Sequence, residues 1–137
     1  MRVRIYILLI IAVFTFNCKS KVETHCVSKA FEVTATAYNS LAYQTSSNPN
    51  ITAFGDSLKP GLRYIAVSRD LLDSGLVHNA KVKIQGFDSL FTVKDKMNRR
   101  WRKRIDIYMG INVKKAKKWG KRRVQIEYCI PIKDTSP

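Results

Sequence analysis

Apolar and polar positions alternate in short bursts along most of this chain. From Phe31 to Tyr38 the apolar residues Phe31, Val33, Ala35 and Ala37 share one face, and Glu32, Thr34 and Thr36 the other. Tyr64 to Val67 is a short apolar run. Val82 and Ile84 alternate with lysines, and Phe91 and Val93 repeat the pattern. Ile105 and Ile107 flank Asp106, and Val124, Ile126 and Tyr128 close the series. A period of two over short segments, broken by Gly and Pro, predicts a β-barrel or a β-sandwich. Two short helices interrupt the strands. Ser68 is placed to cap the first, with Gly75 ending it, and Asn112 to cap the second, with Gly120 ending it. In the second, Val113, Ala116 and Trp119 fall on one face and the lysines on the other. There is no internal repeat.

The N-terminus narrows where such a domain would work. Arg2 and Arg4 precede an uncharged run from Ile5 to Phe16, which suits the core of a signal peptide better than a membrane span. Cys18 follows directly and resembles the acylated cysteine of a bacterial lipoprotein, although Asn17 replaces the usual small residue. The expected plan is a signal peptide at 1–17 and a short linker at 18–29 after lipid-modified Cys18. A barrel domain at 30–130 and a tail at 131–137 follow. Export removes nucleic acid from the expected partners and places the protein in the cell envelope, facing the periplasm. It also makes Cys26 and Cys129 candidates for a disulfide, the alternative being two free thiols.

Composition adds one further constraint. The chain has 137 residues, 45% of them hydrophobic, with 25 Lys and Arg against 10 Asp and Glu. Loss of Arg2 and Arg4 with the leader takes the net charge from +15 to +13. Seven of the eleven residues from Lys94 to Arg104 are cationic, as are seven of the ten from Lys114 to Arg123. Such a surface attracts polyanions, including anionic lipids and carboxylate-rich wall polymers. His25 and His78 lack metal-like spacing with Cys or carboxylates and read as loop residues, so neither metal nor cofactor is expected. The Asn50-Ile51-Thr52 sequon carries no role in an exported bacterial chain.

A set of short strings, taken in order, resembles the 3D (three-aspartate) domain family, related to the C-terminal part of membrane-bound lytic transglycosylase A. The strings are Thr36-Ala37-Tyr38, Thr52-Ala53-Phe54-Gly55 and Ile65-Ala66-Val67. Asp95 comes next, and eleven residues later Asp106 within Ile105-Asp106-Ile107-Tyr108-Met109-Gly110. Trp119-Gly120 ends the second helix. The resemblance covers Phe31 to Tyr128. It implies a mainly β fold, a six-stranded double-psi β-barrel with two short helices, and a groove lined by aspartates. It also implies activity on peptidoglycan glycan strands, as a lytic transglycosylase or, where catalysis is lost, as a wall-polymer-binding lipoprotein.

Glycosidic cleavage needs a proton delivered to the leaving oxygen. In a transglycosylase the sugar's own C6 hydroxyl then closes on C1, so a single carboxyl can act first as acid and then as base. Asp106, mid-strand and opposite in face to Ile105 and Ile107, is the expected acid/base, with Asp95 tuning or orienting it. Thr36 and Thr52 are expected to support the carboxylates or bind sugar. Two departures from the family stand out. Ser68 occupies the position of the family's first aspartate, with Asp70 two residues on as a possible substitute. A basic loop replaces a Gly-rich one, and there Arg99, Arg100, Trp101 and Arg102 are the expected substrate contacts. Cations close to a carboxyl lower its pKa, which opposes an acid role. Either the guanidinium groups point outward, or the groove only binds.

Overall fold

The computed structural model describes residues 25–43 and 48–132. The leader, Cys18 with its expected lipid, most of the linker, residues 44–47 of the polar loop and residues 133–137 of the tail lie outside the described residues. Among the described residues there are six strands: β1 (Cys26–Tyr38), β2 (Tyr64–Val67), β3 (Lys81–Ile84), β4 (Phe91–Lys96), β5 (Arg104–Tyr108) and β6 (Arg122–Pro131). Two helices join them: α1 (Arg69–Asp73) between β2 and β3, and α2 (Val113–Trp119) between β5 and β6.

The strands close into a barrel in the order β1-β5-β2-β4-β3-β6. Two neighbouring pairs are parallel, β1 with β5 and β2 with β4, while β2 and β5 meet antiparallel between them. Exchanging β1, β2 and β3 for β4, β5 and β6 leaves the ring unchanged. This pseudo-twofold, with its two crossed parallel pairs, is the double-psi β-barrel, and it excludes the sandwich. Closure leaves each short strand without a free edge.

Inward residues fill the barrel. Ile65, Val67, Val82, Ile84, Val93, Ile105, Ile107 and Ile126 are buried almost completely, and Leu71 and Leu76 join the same core. Period-two alternation therefore assigns the faces correctly for β5, where Ile105 and Ile107 point in. Phe31 departs from the pattern and is 37% exposed. The first half of β1 pairs with β6 and not with β5, and beyond Tyr128 the two strands run on as a two-stranded ribbon; Phe31 packs on Tyr128, ring centres 6.0 Å apart. Cys26 and Cys129 form a disulfide across this ribbon, their Cα atoms 5.7 Å apart.

The helix ends differ in kind. Asn112 caps α2 by accepting from the Lys115 N–H at 2.9 Å. Ser68 occupies the N-cap position of α1 without a side-chain cap, because its Oγ accepts from the Arg104 N–H at 3.0 Å. Gly75 ends α1 at φ 96°, where any side chain would also run into Ile130. On α2, Val113, Ala116 and Trp119 are the half-buried positions, and Trp119 packs on Phe87 with ring centres 5.1 Å apart.

Candidate functional site

The register brings four residues from four adjacent strands into one lateral row. Thr36 of β1 lies opposite Asp106 of β5, Asp106 opposite Ala66 of β2, and Ala66 opposite Asp95 of β4. Ala35, Ile105, Ile107, Ile65 and Val67 point into the core, so their neighbours in the row face outward. Asp95 reaches this face through a bulge. Ile65 pairs with Val93 but Ala66 pairs with Asp95, so Lys94 is passed over and Asp95 turns to the outside. The backbones of Asp106 and Asp95 are two strand spacings apart, about 10 Å. In the row, Ala66 lies between them.

Each carboxylate has its own support. Asp106 Oδ1 accepts from Thr36 Oγ1 at 2.9 Å. Burial pushes its pKa up to about 6, against the pull of the Thr36 hydroxyl and the Arg104 charge, and the charge of Asp95 adds to the rise. Asp95 Oδ1 accepts from the N–H groups of Ala53 and Lys96, both at 2.8 Å. Burial raises its pKa too, and those N–H groups offset part of the rise. The Ala53 donor is presented by a turn that Thr52 holds, its Oγ1 accepting from the N–H of Phe54 at 3.3 Å and of Asp56 at 3.0 Å. Thr52 thus serves the site through the backbone of the turn. A hollow of about 350 Å³ opens here, lined by Tyr38, Pro49, Thr52, Ala53, Leu58, Asp95 and Lys96 among others.

Tyr38 lies one step along the face from Thr36, opposite Tyr108, their ring centres 5.4 Å apart. The Tyr108 hydroxyl bonds with Ser40 Oγ at 2.8 Å, whereas the Tyr38 hydroxyl is sealed in without a hydrogen-bond partner among the described residues. Burial raises the Tyr38 pKa, and the charges of Asp95 and Asp106 raise it further.

The remaining expected residues divide. Asp70, the possible substitute for the family's first aspartate, is held by the backbone of the basic loop. Its Oδ2 accepts from the Lys103 N–H at 2.8 Å and ties the basic loop to α1. Burial acts to raise its pKa, but that N–H, the Ser68 hydroxyl and the Arg102 charge hold it below the usual value. Arg99, Arg100 and Arg102 are exposed, and Trp101 is half-buried with Arg104 stacked over its ring at 3.8 Å and Arg100 at 4.8 Å. His78 is more than a loop residue. Its Nε2 meets Asp56 Oδ2 at 2.6 Å, Lys94 meets Asp56 Oδ1 at 2.7 Å, and Phe54 stacks on the imidazole. The Lys94 and His78 contacts together hold the Asp56 pKa low. Among the described residues, no cluster of three or more His, Cys, Asp or Glu side chains is placed to hold a metal ion. A larger hollow, about 440 Å³ between Phe87, Phe91, Met109 and Lys115, holds no carboxylate.

Sequence reasoning passed over three contributors. The Ala53 donor is main chain, Ala66 matters by being small, and Arg104 was one cation in a run. For Arg104 the available signal was its strand position, two residues before Asp106 and therefore on the same face.

No family model matches the chain, and no curated protein matches it. Solved structures similar to it include the apo expansin of Clavibacter michiganensis, 14% identical with a TM-score of 0.49, the match covering 80% of this chain and 53% of that one. A mutant of that expansin in complex with cellohexaose is 13% identical with a TM-score of 0.45 and the same coverage. The chain spans about half the length of these expansins.

Proposed function

We propose that this barrel is an exported, lipid-anchored member of the 3D-domain kind that binds the glycan strands of peptidoglycan across the Thr36–Asp106–Ala66–Asp95 row. The observation that carries the reading is the row itself. Two outward carboxylates with raised pKa values stand on either side of Ala66 in one row, and Asp95 lines a hollow of about 350 Å³ beside it. Pull-down on purified sacculi tests it: the wild-type protein sediments with them, and Ala66→Leu, which fills the space between the carboxylates, sediments at least about tenfold less. Equal sedimentation of both would remove the groove from the reading.

A second reading, cleavage as a lytic transglycosylase, is favoured by Asp106 alone. With its pKa near 6, a large share of Asp106 stays protonated in mildly acid solution and can serve as a general acid. Protonation of the glycosidic oxygen releases the leaving sugar as an oxocarbenium-like centre forms at C1. The Asp106 carboxylate then takes the proton from the C6 hydroxyl, whose oxygen closes on C1 to give the 1,6-anhydro sugar. No water is consumed. Mass spectrometry of digested sacculi is expected to show anhydro-muropeptides for wild type and none for Asp106→Asn. Asp95→Asn should slow the reaction less completely, within the roughly 10²–10⁴-fold typical of acid–base assistance. Anhydro product from Asp106→Asn would overturn the acid assignment. Binding without product from the wild type would leave a wall-binding lipoprotein.

A further inference from the structure

The two basic runs of the sequence meet at one hollow. Lys103, in the run from Lys94 to Arg104, and Arg123, which ends the run from Lys114, line a hollow of about 390 Å³ with Phe31, Glu32, Val33 and Thr34 of β1. Strand order is the cause. β1 lies between β5 and β6, and Thr34 pairs with Arg104 on one side and with Arg123 on the other. Arg123 meets Glu32 at 2.6 Å, which offsets the acid of the lining. Lys103 Nζ has no ion pair or hydrogen bond among the described residues; only its main-chain N–H is engaged, by Asp70. The hollow therefore keeps a net positive charge.

The same hollow opens on an unused strand edge. β5 begins opposite Thr34, so β1 from Cys26 to Val33 has no strand beside it on that side among the described residues. Two sets of bonds fix which way its backbone groups point. The Thr34 N–H donates to the Lys103 carbonyl, toward β5. On β6, both main-chain groups of Gln125 are taken by Gln85, so Gln125 leaves the main chain of its partner Glu32 unbonded. The β1–β6 register runs on without a break, and alternation turns the N–H and C=O of Glu32, Ala30 and Ser28 to the open side. All three residues are exposed. A two-stranded ribbon is marginal by itself, but the Cys26–Cys129 disulfide ties this one together. The edge is thus held extended before any partner arrives. Phe31 and Val27, 37% and 51% exposed, stand on one face of it. Arg123 stands on the other, since its neighbour Val124 points into the core.

We propose that the edge of β1 from Ser28 to Glu32 is a docking site for an extended acidic segment of another protein, which adds as a strand in line with β5. Main-chain bonds hold such a segment and alternate side chains select it. Acidic residues fall toward Arg123 and Lys103, and apolar residues toward Phe31 and Val27. A second copy of this chain is a poor occupant, because at a net charge of +15 two copies repel. The site lies off the Thr36–Asp106–Ala66–Asp95 row and does not depend on what that row binds.

The test separates strand addition from charge attraction. The full chain is titrated with a short synthetic peptide alternating Glu and Val, and the amides of Ser28, Ala30 and Glu32 are followed by NMR and hydrogen exchange. Saturable shifts and slowed exchange are expected at all three. Two further peptides carry N-methyl groups on alternate residues, one on the odd positions and one on the even. Only one of these sets faces the edge, so one peptide should bind at least about tenfold more weakly and the other like the parent. A peptide with Lys in place of Glu should not bind. Ala30→Pro removes one edge donor where proline is tolerated, and should weaken the parent peptide severalfold while the barrel amides keep their positions. Because the other arms use the wild type, misfolding of Ala30→Pro leaves the test intact. Equal binding by the two N-methyl peptides would overturn strand addition, and equal binding by the Lys peptide would overturn the acidic partner. Slow exchange at these amides before any peptide is added, whether covered by the rest of the chain or by a second copy, would overturn the free edge.

Discussion

Asp106 shows how a single side chain can set the conditions for the whole groove. Its raised pKa means that the folded protein binds a proton more tightly at Asp106 than the unfolded chain does. The stability from this difference is fully present below the ordinary aspartate pKa, near 4, and is lost as pH rises through about 6. Asp106→Asn removes the penalty. It should therefore stabilise the protein at pH 8 by on the order of 1–2 kcal/mol, after discounting for the partly open site, and bring little at pH 4. Thermal melts at the two pH values measure this, and a gain at pH 4 as large as at pH 8 would contradict it. Cleavage, if present, should decline above pH 6 as the acid ionises. Because the Arg104 charge pulls the Asp106 pKa down, Arg104→Gln should shift that decline upward. At this scale the sequence was informative where alternation was regular. Ile105 and Ile107 place Asp106 on the outer face by alternation alone. Asp95 was legible only as a residue type at a spacing, because its facing depends on a bulge that no alternation rule contains.

Between strands, the decisive element is the turn around Thr52. It contributes no side chain to the row, yet its Ala53 N–H is one of two donors on Asp95. Thr52 is buried, and its Oγ1 accepts two turn N–H groups. Thr52→Ala should cost about 1–3 kcal/mol by leaving those donors short of an acceptor. It should also raise the Asp95 pKa further as the Ala53 donor drifts. Carboxyl titration by NMR reads the second effect, and an unmoved Asp95 would show that the turn holds without Thr52. The Thr-Ala-Phe-Gly string could be recognised in the sequence, but its task could not, since hydrogen bonds between a turn and a distant strand leave no periodic trace. The two helices were readable from their capping residues and glycines. Ser68 was readable as an N-cap only by position, because the competing donor, the Arg104 N–H, arrives from a strand 36 residues away.

For the molecule as a whole, the fold class followed from strand count and period, whereas the ring order did not. Period two gives faces and not neighbours, so barrel and sandwich remained equal until β1 was seen to pair with both β5 and β6. The resemblance to the 3D family supplied the double-psi expectation, and the pseudo-twofold of the strand order agrees with it. The disulfide binds the two ends of the described chain across 103 residues of sequence. Closing a loop of that size restricts the unfolded chain by about 4–5 kcal/mol. Replacing Cys26 and Cys129 together by Ser should lower the melting temperature by about 10 °C or more, with the ribbon of β1 and β6 exchanging its amides first in hydrogen-exchange measurements. A variant that melts like wild type would show that the ribbon is held without the bond.

That ribbon also fixes a distance. β1 continues unbroken from Cys26 at the disulfide to Thr36 at the row, ten residues and about 33 Å of strand. On the proposed anchoring through Cys18, this strand would act as a stand-off. Cys26 lies at one end of this strand and the row toward the other, separated by roughly the thickness of a bilayer's hydrocarbon core. Such a protein would reach outward to a polymer lying above its own membrane and leave the lipid beneath it out of range.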